Sequence, residues 1–137
     1  MPPKQQFSLT DGSPLTRQEH FVLRQVAMGE IADLKREFGE AEEERRLRAR
    51  FLEELLTGEL KGVKVHRRGF FIENAVITEP LDLENAEVIA DVALYRFIFL
   101  EAVSFRDACF KKHLSLSDSK FQKRRFSSHE DTDRPFL

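Results

Sequence analysis

The sequence predicts a mainly β chain with helices at its N-terminal side, the strands being short, parallel and stacked into a four-sided coil. Two observations carry this. Written in rows of eleven from Gly69, the second half of the chain falls into register with itself five times: GFFIENAVITE, PLDLENAEVIA, DVALYRFIFLE, AVSFRDACFKK and HLSLSDSKFQK. Apolar residues fill the second column (Phe70, Leu81, Val92, Val103, Leu114), the fourth (Ile72, Leu83, Leu94, Phe105, Leu116) and the ninth (Ile77, Val88, Phe99, Phe110, Phe121), and the seventh is mostly small (Ala75, Ala86, Ala108, Ser119). A fixed period shared by four columns selects a stacked repeat architecture. The second observation is a change to helical signals and helical periodicity between residues 16 and 56,.

Taken in chain order, residues 1–14 are polar and hold Pro2, Pro3, Gly12 and Pro14, the composition of a disordered leader,. Thr16-Arg-Gln-Glu19 is a capping-box pattern, Phe21, Leu23, Val26 and Ala27 give an amphipathic face, and Gly29 stops the first helix after Met28,. A second helix is expected from about Glu40 to Leu56. Its acids (Glu40, Glu42, Glu43, Glu44) precede its arginines (Arg45, Arg46, Arg48, Arg50), the order that suits the helix dipole,. Leu47, Phe51, Leu52, Leu55 and Leu56 supply its apolar face. Residues 15–58 therefore read as a helical cap, 59–126 as the repeat region with its 11-residue repeats at 69–123, and 127–137 as an irregular C-terminal tail.

Within each row the apolar and small positions lie two, three and two apart, so a row holds two extended steps separated by a turn. Alternate side chains of a strand face opposite sides, which lets the second and fourth columns share one interior with the seventh and ninth. Two rows, or 22 residues, then complete four sides, and residues 22 apart become vertical neighbours at the ~4.8 Å strand spacing. A leucine-rich repeat is the nearest competitor, but it fits a helix or arc into a period of about 20 to 29 residues. A stack of strands leaves unpaired edges and a cross-section of core at each end, and the helices are the expected cover for the first. At the other end the register survives one more step to Phe126, after which the tail either folds back as a cap or leaves the end open. An open end would pair two copies in a closed twofold arrangement, so a homodimer through the C-terminal end of the β-helix is one expected assembly. A shortened version of a longer repeat protein is another reading of the same ending.

The steps NAVI, NAEV, DACF and DSKF, each a polar turn residue followed by a small residue two before a large apolar one, resemble pentapeptide repeats with an extra residue in every second step. Val65 through Leu83, with His66, Arg67, Arg68, Gly69, Ala75 and PLDL, is similar to the entry into the repeats in a bacterial subfamily of such proteins, where a helical segment ending much like RARFLEELLTG comes first. The resemblance covers residues 15 to 126. It implies a right-handed, four-sided parallel β-helix, the hand that parallel connections prefer, and relatives that dimerise end to end. Phe97 departs from the pattern because it occupies a small-residue position. Either it fills space left by Ala75 and Ser119 in the stack, or it marks a distorted corner.

The chain of 137 residues is most simply one domain, with enough apolar residues for a core (41%) and no hydrophobic run of membrane-spanning length,. Residues 1–14 lack the charged-then-apolar order of a secretory signal, so a soluble, cytoplasmic protein is expected. The sole cysteine, Cys109, forms no internal disulfide, and its place before Phe110 turns it outward as a surface thiol,. The four histidines (His20, His66, His113, His129) have no metal-binding spacing, and there is no nucleophile elbow, Walker loop or dinucleotide fingerprint,. The sequence thus predicts no catalytic, cofactor-binding or metal site and no enzymatic activity. Asn74, Asn85, Asp107 and Asp118 are read as turn residues bonding local backbone,. The 22-residue offset predicts opposite-charge pairs of Glu84 with Arg106, Arg96 with Asp118, and Glu101 with Lys123.

The expected function is a non-enzymatic repeat scaffold that mediates protein–protein interaction or self-association, its protein partner unidentified. One alternative has chemistry behind it. Lys111, Lys112, Lys120, Lys123, Arg124 and Arg125 face only Asp118 within residues 111–125, a basic segment that would contact nucleic acid or another anionic partner,. Phe121 and Phe126 interleave with it, but their inward register opposes stacking on bases. A second alternative comes from the family resemblance, in which quinolone-resistance relatives present an acidic β-helix to a topoisomerase as a DNA mimic. A net charge of −2 and a basic repeat end fit that role poorly,.

Overall fold

The computed structural model describes residues 7–122. Three α-helices and a 3₁₀ turn precede a long series of short parallel strands, and none of the helices among the described residues is long and apolar enough to cross a membrane. Helix α1 (Arg17–Met28) starts with the expected reciprocal cap. The Thr16 hydroxyl accepts from the Glu19 N–H, and the Glu19 carboxylate accepts from the Thr16 N–H. It ends at Gly29, whose left-handed φ of 73° lets its N–H reach back to the Gln25 and Val26 carbonyls,.

The next segment differs from the sequence expectation. Strand β1 (Ala32–Asp33) and helix α2 (Leu34–Phe38) follow α1, and the helix expected over 40–56 is divided into a 3₁₀ turn (Glu42–Arg45) and helix α3 (Ala49–Thr57). Between them the chain is extended, with Arg46 bridging Val76 in parallel and the Leu47 N–H donating to the Val76 carbonyl at 3.0 Å. The physical reason is edge satisfaction. The first strands of the repeat offer unpaired backbone groups, and pairing them outweighs the helix propensity of a Glu/Arg-rich stretch while it also buries Leu47,. β1 does the same on the neighbouring side, pairing Ala32 with Ile72 and Asp33 with Glu73.

Residues 7–14, read from the sequence as part of a disordered leader, are held in place. Ser8 and Pro14 form an antiparallel bridge, Leu9 is buried, and Thr10 donates through both its N–H and its hydroxyl to the Glu54 carboxylate. Proline and glycine here shape a turn that packs on α3; their polar company hid the single buried leucine. The expected step to Phe126 and the tail at 127–137 lie outside the described residues.

Ten strands follow: β2 (Phe70–Glu73), β3 (Val76–Ile77), β4 (Leu81–Asp82), β5 (Glu87–Val88), β6 (Val92–Tyr95), β7 (Ile98–Phe99), β8 (Val103–Ser104), β9 (Cys109–Phe110), β10 (Leu114–Ser115) and β11 (Lys120–Phe121). They form four parallel sheets, in the orders β1-β2-β6-β10, β3-β7-β11, β4-β8 and β5-β9. Every pairing within β2–β11 joins residues 22 apart: Phe70 with Val92 and Val92 with Leu114, Ile77 with Phe99 and Phe99 with Phe121, Leu81 with Val103, and Val88 with Phe110. Between strands, the sixth column (Asn74, Asn85, Arg96, Asp107, Asp118) is left-handed in all five rows, with φ between 54° and 67°. Asn and Asp tolerate this conformation best, which explains four of the five residues.

In three rows the turn closes by a backbone bond from the seventh residue to the fourth: Ala86 to Leu83, Ala108 to Phe105, and Ser119 to Leu116. At Phe97 it closes differently. The Phe97 N–H donates to the Ser119 hydroxyl at 3.0 Å, and that hydroxyl donates to the Leu94 carbonyl at 2.9 Å. Phe97 is fully buried beside Phe99, so it fills interior space, and its backbone keeps the left-handed turn of the other rows. Helix and repeat share one core, in which Val22, Val26, Phe51 and Leu55 join Phe70, Ile72, Leu81 and Leu94.

Candidate functional site

The inward columns change character along the chain. Their early members Phe70, Ile72, Ile77, Leu81, Leu83 and Val88 are buried, as are Val92, Leu94, Phe99 and Val103 above them. The last members, Phe105, Phe110, Leu114, Leu116 and Phe121, are only partly buried. Phe121 stacks on Phe99 with centroids 4.9 Å apart, and Phe105 meets Phe110 edge-on at 5.9 Å. The same residue types in the same columns thus lose cover when no described strand lies above them.

The basic segment is only partly assembled. Lys111 is ion-paired with Glu87 at 3.4 Å. Lys112 is exposed, and Lys120 is exposed on β11 in register with Ile98. Lys111 follows β9 and Lys120 belongs to β11, which lie in different sheets, so the structure does not gather these three cations into one ladder. Lys123, Arg124 and Arg125 lie outside the described residues. Phe121 is engaged with Phe99, as its inward register predicts.

The predicted cross-row pairs fare unevenly. Arg96 pairs with Glu73, 23 residues earlier, rather than with Asp118. The Glu84 carboxylate accepts from the Ser104 hydroxyl at 2.9 Å instead of meeting Arg106, although the backbones of the two rows do join there through Asn85 N–H to the Arg106 carbonyl. The partner expected for Glu101, Lys123, lies outside the described residues. Cys109 is exposed on β9, beside its register partner Glu87.

Several acids fix the first half of the molecule, within itself and against the strands, and of these the sequence singled out only Glu19, as a capping residue. Glu19, completely buried, accepts from the Arg48 guanidinium at 2.7 and 3.0 Å and from the Arg48 N–H. The Glu79 carboxylate accepts from the Ala49 N–H at the start of α3. The Glu53 carboxylate accepts from the Asp82 N–H on β4, standing in for a missing strand. Burial raises the Glu53 carboxyl above its ordinary range. Burial pushes Glu54 the same way, but Thr10 and Arg50 together outweigh it and leave that carboxyl lowered. Glu53, Glu54, Asp82, Glu84 and Glu87 line an acidic cleft of about 570 Å³ with Arg50. Its carboxylates are occupied: Glu53, Glu54 and Asp82 accept from backbone N–H groups, Glu84 accepts from the Ser104 hydroxyl, and Glu54 and Glu87 are ion-paired with Arg50 and Lys111. Among the described residues no group of His, Cys, Asp or Glu is arranged to hold a metal ion.

The site is therefore a surface on a parallel-strand scaffold with N-terminal helices. Comparison with known proteins adds nothing to it: no family model matches the chain, and neither a curated protein nor a solved structure matches it.

Proposed function

We propose that the four parallel ladders are the sides of a short, right-handed, four-sided β-helix of the pentapeptide-repeat type, and that the protein is a non-enzymatic scaffold that uses the end of this coil to bind protein. A second copy of the chain is the partner this end fits. The observation that carries the reading is the loss of burial at the last described members of five of the six inward stacks, Phe105, Phe110, Leu114, Leu116 and Phe121, after their counterparts 22 residues earlier are sealed; Val103, which ends the sixth, stays buried. A partly exposed apolar cross-section favours association that covers it, and a twofold arrangement satisfies both copies at once. The uniform 22-residue register supports the coil, because only a chain that turns through four sides per two rows brings every fourth strand into contact.

Sedimentation velocity tests the proposal. The protein is expected to sediment as a dimer across micromolar concentrations, and Leu116→Glu, at a partly exposed position, to convert it to a folded monomer. A wild-type monomer at every concentration, or a dimer unaffected by Leu116→Glu, would refute the self-association. The anionic-partner alternative has lost one of its cations to Glu87. We place the protein in the cytoplasm on the same reading.

A further inference from the structure

We infer that the corner where the end of α1 meets residues 61–68 docks on an anionic membrane surface. Residues 61–68 read KGVKVHRR: Lys61, Lys64, Arg67 and Arg68 are four cations without an acid among them, in a chain whose net charge is −2. All four are exposed. None is in an ion pair among the described residues; the Arg68 guanidinium donates only to the Gly29 carbonyl at 3.4 Å. Arg24 adds a fifth exposed cation on α1, 5.9 Å from the Phe21 ring. Glu30 and Glu59 flank these segments in sequence and Asp91 lies against Gly69, so five cations face three acids and the corner keeps a positive excess.

The same corner collects the apolar surface. Four large hydrophobic residues are exposed among those described, and three of them, Met28 (57%), Ile31 (54%) and Val65 (37%), lie here. The fourth, Ile89 (68%), precedes Asp91 by two residues, and the Asp91 carbonyl lies so close to Gly69 that a Cβ there would be 2.3 Å from it. The two segments are fixed together, which makes the patch a preformed platform. His66 donates its N–H to the Val26 carbonyl at 3.2 Å, and its ring lies against Gly29 so closely that a Cβ would meet it at 2.7 Å.

Cations alone would suit any polyanion. Aliphatic side chains standing among them distinguish the partner, because a bilayer takes both: phosphate headgroups receive the cations while Met, Ile and Val enter the boundary between headgroups and acyl chains. Nucleic acid offers the aliphatics nothing comparable. This site is separate from the coil end and does not depend on the proposed self-association.

Cosedimentation with vesicles decides the matter. At low salt the full chain is expected to pellet with phosphatidylcholine–phosphatidylglycerol vesicles, to stay in solution with phosphatidylcholine alone, and to be released as salt rises. The combined variant Lys61→Glu, Lys64→Glu and Arg67→Glu, at positions outside the core, should lower partitioning on the order of a hundred-fold. Met28→Ser with Ile31→Ser should also weaken it at unchanged charge, and Lys112→Glu with Lys120→Glu should leave it as in the wild type. Circular dichroism melts establish that each variant is folded. The inference is overturned if the wild type does not pellet with the anionic vesicles, or if the charge-reversed chain pellets equally. It is also overturned if retention on duplex DNA or RNA, insensitive to the Met28 and Ile31 changes, is all that the corner supports.

Discussion

Phe97 occupies the column that the other rows give to Ala or Ser, and its turn is closed through a side chain, the Ser119 hydroxyl, instead of the direct backbone bond seen in three of the other rows. Removing that hydroxyl leaves the Phe97 N–H and the Leu94 carbonyl without their partner in a largely buried place. Ser119→Ala should therefore cost about 1 to 3 kcal/mol, read as a shift in denaturant midpoint at constant slope. Phe97→Ala should cost about 3 to 5 kcal/mol through the cavity it opens. If the bulk of Phe97 is what opens the turn, Ser119→Ala should cost less in the Phe97→Ala background than in the wild type; equal costs in both would separate the two residues. The exception at Phe97 was legible in the row pattern, and so were the Asn and Asp turn positions. The hydroxyl bridge was not, since it depends on a contact 22 residues away and on a turn geometry that residue spacing does not encode.

At the scale of elements, the N-terminal half does more than cover the strands with helices. β1 and the extended stretch at Arg46–Leu47 pair with β2 and β3, and the Glu53 side chain caps β4. The first helix was legible because its cap and its glycine stop are local signals. The break in the second was not: charge order and apolar spacing over 40–56 favour a helix, and only the unpaired edge at Val76, distant in sequence, pulls the chain extended. Deleting residues 1–58 should accordingly abolish cooperative unfolding, since it exposes three strand edges along with the core; a sharp thermal transition in that truncation would count against the role.

The packing of residues 7–14 on α3 gives a pH signature. The Glu54 carboxyl is lowered in the folded protein, so its contribution is full above the ordinary carboxylate range and is lost as pH falls through the folded value,. Glu53 has the opposite sign, its raised carboxyl costing stability as pH climbs past its ordinary value,. Glu54→Gln should cost about 1 to 3 kcal/mol at neutral pH, the scale of a hydrogen bond to a charged group. The gap to the wild type should narrow in acid. A gap that stays constant from neutral pH to pH 3 would contradict this assignment.

For the whole molecule, the decisive feature is the 22-residue register, legible from the columns because an inward position must stay inward in every row. Its reach was legible only in part, because the exposed end and the basic corner at residues 61–68 follow from how elements meet. The chain supplies its own probe of the register in Cys109, its sole cysteine, which faces outward opposite Glu87 on the adjacent strand. Register partners on parallel strands lie about 4.8 Å apart, within reach of a bifunctional thiol reagent such as dibromobimane, which fluoresces only when both arms have reacted. Glu87→Cys should give an intramolecular fluorescent adduct in the folded protein that disappears on unfolding, whereas Tyr95→Cys, on a different sheet, should give none. Two free, separately reactive thiols in Glu87→Cys, or equal crosslinking from both positions, would contradict the stacked register on which the scaffold rests.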